Sequence, residues 1–228
     1  MDQLQQFQRH DLVWLNDTAW QGIIAAATED WQPALRDWQQ SESPVVVHRR
    51  DNDAAVDEIC IALSLPPQNG EKLTFSARVQ VEHILEHQSG LALNTVIPVA
   101  LPEWQPLLRE LHAEASASGV RFRVFGSLSF QFLTGKMYLN PASDIDLLFK
   151  PQDAEHLVSG LALLQRFRSQ LPLDGEVVFP RGQGVAWKEW LLTDSAPEPD
   201  NMHRVLVRDQ QQVRLCSRRD LILSLSED

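Results

Sequence analysis

The strongest constraint on this chain is a block between residues 102 and 179, where helical and extended hydrophobic periods alternate in a set order. The segment PEWQPLLRELHAEASASG places Trp104, Leu107, Leu108, Leu111 and Ala115 at helical spacing. It stops at Gly119, a residue suited to the left-handed position just past a helix end. VRFRVF then alternates as a strand, with Val120, Phe122 and Val124 on one face and Arg121, Arg123 and Phe125 on the other. It runs straight into Gly126 and Ser127, and LSFQFLTG beyond predicts a short helix ending at Gly135. SDIDLLF (143–149) reads as a buried strand closed by Pro151. From Asp153, residues Ala154, Leu157, Val158, Leu161, Leu164, Phe167 and Leu171 keep the 3.6-residue period of a second helix. LDGEVVF (173–179) predicts a further strand, stopped by Pro180 and followed by a glycine-containing turn into the segment from Trp187 to Leu192.

The first ninety residues are patterned less regularly. DLVWL (11–15) and VVVHR (45–49) suit strands, separated by a Trp- and Ala-containing stretch with room for one or two helices. LPPQNG (65–70) is a cluster of chain breakers, and Leu73 to Val81 alternates as another strand running toward a short helix. The pattern shifts between residues 88 and 102. The expected organisation is a smaller α+β domain over residues 1–92, for substrate or carrier recognition, and a catalytic domain over 93–228. The expected fold class is α+β, with a mixed sheet and flanking helices in the second domain.

Composition narrows the partners. The 228 residues, 43% hydrophobic and 22% charged, are those of an ordinary globular protein. Thirty-one acidic against 20 basic side chains leave a net charge of −11, which disfavours nucleic acid as a partner. Cys60 and Cys216 lack the spacing of a zinc site or a disulfide framework. The polar start MDQLQQFQRHD has no signal-peptide pattern, and no apolar run approaches the roughly 20 residues of a membrane span. The cytoplasm, with no membrane partner, is the expected setting.

The chemistry is concentrated at two places. In a strand, residues two apart point the same way, so Asp144 and Asp146 would bring two carboxylates to one face, about 6–7 Å apart at the backbone. Two such acids repel unless a cation lies between them, and Mg²⁺ held by carboxylates and substrate phosphates is the usual answer. A glycine followed by serine at a strand end does complementary work. Gly126 lets a phosphate approach the backbone, and Ser127 adds a hydroxyl at a helix start whose N–H groups are open. Glu176, on a later strand, is the candidate third carboxylate, as metal ligand or as base, with Asp174 its rival on the same strand face. Either motif alone is commonly a turn or a solvated edge; their order along the chain points to phosphoryl transfer, which needs alignment and charge relief more than covalent help. Arg9, His10 and Asp11 read as a local hydrogen-bonded group, the seven tryptophans as packing residues, and Lys188 as a phosphate contact or a surface lysine.

FGS, 16 intervening residues and then DIDLL, followed by an acidic strand, resemble the nucleotidyltransferase superfamily, whose matching elements bind triphosphate and Mg²⁺. The 16-residue gap is longer than is common there. A narrower likeness accounts for it: RHDLVWL (9–15), VFGSLSFQFLTGKMYLNPASDIDLLF (124–149) and LDGEVVFPRGQGVAWKEW (173–190) look like the malonate decarboxylase holo-acyl-carrier-protein synthase family, also called phosphoribosyl-dephospho-CoA transferase. The resemblance implies transfer of a phosphoribosyl-dephospho-CoA group from a triphosphoribosyl-dephospho-CoA donor to a serine of the decarboxylase's acyl carrier subunit, releasing diphosphate. It implies that Gly126 and Ser127 hold the donor triphosphate and that Asp144 and Asp146 bind Mg²⁺. Glu176 rests on superfamily likeness. The competing readings are another Mg²⁺-dependent nucleotidyltransferase and a non-catalytic nucleotide-binding module.

Overall fold

A computed structural model describes residues 6–67, 71–194 and 203–226. The chain forms two compact units, one comprising residues up to Gly90 together with Phe130–Tyr138, the other Leu91–Ser129 and Leu139 onward.

The first unit is built on β1 (Asp11–Leu15), β2 (Val45–Val47), β3 (Glu58–Ser64), β4 (Thr74–Gln80) and β5 (Ile84–Ser89), with helices α1 (Asp17–Ala26) and α2 (Gln32–Gln40) between β1 and β2. The strands form an antiparallel sheet in the order β4-β3-β2-β1-β5. Asn16 starts α1 by accepting a hydrogen bond from the Ala19 amide at 3.0 Å, satisfying one of the N–H groups that a first turn leaves open. Val13, Trp20, Ile23, Leu35, Trp38 and Ile61 fill the core, joined by Phe130 and Tyr138 from far along the chain. The expected strand at 73–81 is β4 followed by a short 3₁₀ turn, Val81–His83. Within the expected breaker cluster, residues 68–70 lie outside the described residues. β3 and β5 escape a reading by alternation, because Ile59, Cys60 and Ile61 are all buried and no residue of β5 is.

From Leu91 the chain runs β6 (Leu91–Ala92), α3 (Leu93–Val96), α4 (Gln105–Ala117), β7 (Phe122–Val124), α5 (Gly126–Thr134), β8 (Ile145–Phe149), α6 (Ala154–Phe167), β9 (Leu173–Phe179), β10 (Gln183–Ala186), α7 (Trp187–Asp194), β11 (Arg204–Arg208), β12 (Val213–Ser217) and α8 (Arg218–Ser224), all in the second unit except α5 from Phe130 on. The unit's seven strands lie in the order β12-β11-β10-β9-β8-β7-β6. Only β8 and β9 pair in parallel, so the sheet is mixed and the fold is α+β. A parallel pair needs a long crossover, and α6 supplies it. Asp153 caps that helix, accepting from the His156 amide at 2.7 Å. Leu157, Leu161, Leu164 and Phe167 bury its inner face, whereas Val158, expected on that face, is 67% exposed. The strand expected from Ser143 begins at Ile145, leaving Asp144 just before it. The region after Pro180 holds one more strand than its turn suggested, β10, and the terminal hairpin β11–β12 completes the sheet.

Candidate active site

The site is assembled where β7 ends and β8 begins. The Phe125 amide donates to the Asp146 carbonyl at 3.1 Å, tying the end of β7 to the middle of β8. The next residue, Gly126, turns the chain into α5 with φ +68°, a conformation costly for a residue with a side chain. A Cβ built there would lie 2.1 Å from Oδ2 of Asp146. The Asp146 carboxylate is therefore seated against the bare Cα of Gly126, and the glycine-serine bend and one acid of the pair are brought together. Ser127, 4% exposed, follows in the first turn of α5. The opening N–H groups of a helix have no partner within it, so the same turn offers backbone donors and the positive end of the helix dipole.

Asp144 is exposed and immediately precedes β8, while Asp146 is half-buried within it. The turn leading to Asp144 is held by local hydrogen bonds. Asn140 N donates to Ser143 Oγ at 3.0 Å, Ser143 N to Asn140 O at 2.9 Å and Ala142 N to Asn140 Oδ1 at 2.8 Å. On β9, Asp174 stands level with Asp146, and Glu176 stands level with Leu148. Glu176 leans the other way across the sheet: a Cβ on Gly184 of β10 would lie 2.2 Å from its Oε2. Asp174 is engaged locally, accepting from the Gly175 amide at 2.8 Å and lying 3.4 Å from Nζ of Lys188. Both side chains of that ion pair are more than a third exposed, so the pair adds well under about 1 kcal/mol of stability. Among the described residues no group of three or more His, Cys, Asp or Glu side chains is gathered as a metal-binding set.

The Arg9-His10-Asp11 segment forms a tight turn. Asp11, 2% exposed, accepts from the Gln8 amide at 2.8 Å, and Arg9 Nη2 lies 3.1 Å from His10 Nε2. A second feature had no sequence signal beyond the small residues of α1. An open groove of about 710 Å³ lies within the first unit between α1 and β4, lined by Gly22, Trp31, Phe75, Ala77 and His83 among others. The Trp31 and Phe75 rings meet there with centroids 5.3 Å apart.

Residues 92–219 match the C-terminal domain of phosphoribosyl-dephospho-CoA transferase MdcG, and residues 8–89 match its N-terminal domain. A phosphoribosyl-dephospho-CoA transferase of Xanthomonas euvesicatoria pv. vesicatoria is 37% identical over 213 residues, covering 92% of this chain and 94% of the relative. One from Bradyrhizobium diazoefficiens is 28% identical over 90% of this chain and 91% of its own length. No solved structure matches the chain. No helix among the described residues is long and apolar enough to cross a membrane. With both domains matched and the identity sustained along nearly its whole length, the chain belongs to the phosphoribosyl-dephospho-CoA transferase family.

Proposed function

We propose that this transferase moves the phosphoribosyl-dephospho-CoA group from 2'-(5''-triphosphoribosyl)-3'-dephospho-CoA to a serine of the malonate decarboxylase acyl carrier protein, in the cytoplasm. The serine oxygen bonds to the α-phosphorus, the bond to the bridging oxygen breaks, and diphosphate leaves while the serine proton passes to a base. The observation that carries this reading is the seat of Asp146 on Gly126. It puts a carboxylate at the bend where a polyphosphate has bare backbone and helix-start N–H groups to approach. The order β7, bend, α5, β8, α6, β9, with β8 and β9 parallel, supports a nucleotidyltransferase-like core.

The residue types fit a hard divalent cation, because Asp144 and Asp146 are carboxylates two residues apart and Asp146 lies against the bare Cα of Gly126. Mg²⁺ held by Asp144 and Asp146 would neutralise the triphosphate and stabilise the leaving diphosphate. Gly126 and the first turn of α5 hold the phosphate oxygens, and the Ser127 hydroxyl adds one donor. Glu176, on the sheet face of Asp146 but turned toward Gly184, enters as the third acid, as a further ligand or as acceptor of the serine proton, with Asp174, level with Asp146, as its rival. The first unit, matched to the N-terminal family domain, recognises the CoA portion of the donor, with the α1–β4 groove as the place to receive it.

Intact mass of the apo carrier protein after incubation with donor, Mg²⁺ and enzyme tests the whole reading. The carrier should gain the mass of the phosphoribosyl-dephospho-CoA group, and chelation of Mg²⁺ should stop the gain reversibly. Asp144→Asn and Asp146→Asn should abolish it with circular dichroism unchanged, and Glu176→Gln should slow it by about 100-fold or more. An unmodified carrier, or near wild-type transfer by either aspartate variant, would end the proposal.

A further inference from the structure

The chain carries a net charge of −11, yet its last described stretch, residues 203–226, holds five arginines against two aspartates. Structure concentrates that charge further. β11 and β12 pair antiparallel with Arg204 opposite Ser217, Leu206 opposite Leu215 and Arg208 opposite Val213. Alternation then divides the hairpin into two faces. Val205 and Val207, both 0% exposed, bury one face against the protein. The other presents Arg204 and Arg208 beside Val213 and Leu215, which are 44% and 59% exposed. Arg204 forms no ion pair among the described residues. β12 is also the last strand of its sheet, so its outer edge has no strand neighbour among the described residues.

An exposed strand edge with branched apolar side chains is a liability that proteins cover or use. We propose that the outer face of the β11–β12 hairpin is the docking surface for the acceptor protein. It fits a small acidic domain that sets carboxylates around an apolar spot. This rests on the reading of the chain as a protein-modifying transferase, and it names the surface and the chemistry of the partner. Charge complementarity favours that occupant: an acidic partner is repelled by most of this molecule and attracted here. Face-to-face pairing of two copies would instead oppose arginine to arginine. Reach is consistent as well. β12 lies four strand spacings from β8, about 19 Å at about 4.8 Å each. A domain of about 100 residues, with a radius of gyration near 13 Å, spans that distance.

The test uses the full-length enzyme and the apo acyl carrier subunit of malonate decarboxylase. Binding is measured calorimetrically on the Asp146→Asn chain, and transfer kinetics on the otherwise wild-type chain. Arg204→Glu, and separately Leu215→Asp, should each weaken carrier binding and raise the carrier KM by about tenfold or more. The donor KM and kcat should stay unchanged. Rising salt should weaken binding to the parent chain and do so less for Arg204→Glu. Arg204→Gln, which removes charge without reversing it, should give an intermediate loss with an unchanged melting temperature.

Carrier affinity equal to the parent's in all three variants overturns the docking surface. So does a shift confined to the donor KM, which would make the arginines a phosphate site. Loss of a concentration-dependent dimer in sedimentation, with carrier affinity intact, would assign the face to a second copy of this chain. If carrier binds and depends on this face but gains no mass, the docking surface stands and the proposed reaction falls.

Discussion

At the scale of single residues, the site depends on an atom that is absent. Gly126 has both a positive φ and an Asp146 oxygen where its Cβ would sit, so two separate costs attach to any side chain. Gly126→Ala should destabilise the protein by about 1–3 kcal/mol through the backbone alone. Because the alanine also displaces Asp146, transfer should fall by about 100-fold, well beyond what the lost stability explains. Thermal melts and single-turnover transfer on the same preparation separate the two effects. Transfer at the parent's rate would mean that the contact between bend and acid is not used in the reaction. The residue types at this site were readable from the chain: Gly126, Ser127, Asp144 and Asp146 stand out by kind and order. The level of Glu176 and Asp174 was not readable, because both fit the same strand face and only the pairing of β9 with β8 decides which stands beside Asp146.

At the scale of elements, α6 and β8 meet through Gly160. A Cβ there would lie 2.2 Å from Cε1 of Phe149, a ring that is 1% exposed. In an exposed helix, replacing glycine with alanine stabilises by about 1 kcal/mol. Here the sign reverses, and Gly160→Ala should cost about 1–3 kcal/mol as the helix is pushed off the sheet. Urea unfolding reads the result, and a gain in stability would mean that α6 does not pack this closely on Phe149. Helices α4 and α6 were legible because their apolar positions keep one period for three or more turns and their ends carry recognisable signals, Gly119 and Asp153. β10 and the β11–β12 hairpin were not, since strands of four or five residues carry too few alternations to stand out from a turn.

At the scale of the whole molecule, the chain returns to its first unit late. Phe130 and Tyr138 belong to that unit's core, and the Tyr138 hydroxyl donates to the carbonyl of Ser64 at 2.9 Å. Burial pushes the Tyr138 phenol up to about 12. Below pH ~10 the phenol is protonated whether the chain is folded or not. Above that the unfolded chain releases the proton while the folded one keeps it, so stability should fall as pH rises from about 10 to about 12. Tyr138 is the chain's one tyrosine, so phenolate absorbance reports it alone; it should titrate near 12 when folded and near 10 in denaturant, and Tyr138→Phe should remove this part of the alkaline loss. A folded titration near 10 would place the ring in water. What the sequence alone determined is local: the periods of α4 and α6, the bend at Gly126, the acids two apart, the α+β class. Tertiary structure alone decided the rest: that Asp146 lies on Gly126, that β9 aligns Asp174 with it, and that residues 130–138 rejoin the first unit. Local order follows from interactions a few residues apart, whereas register and the return of a distant segment are set by contacts between parts of the chain whose separation in sequence carries no periodic signal.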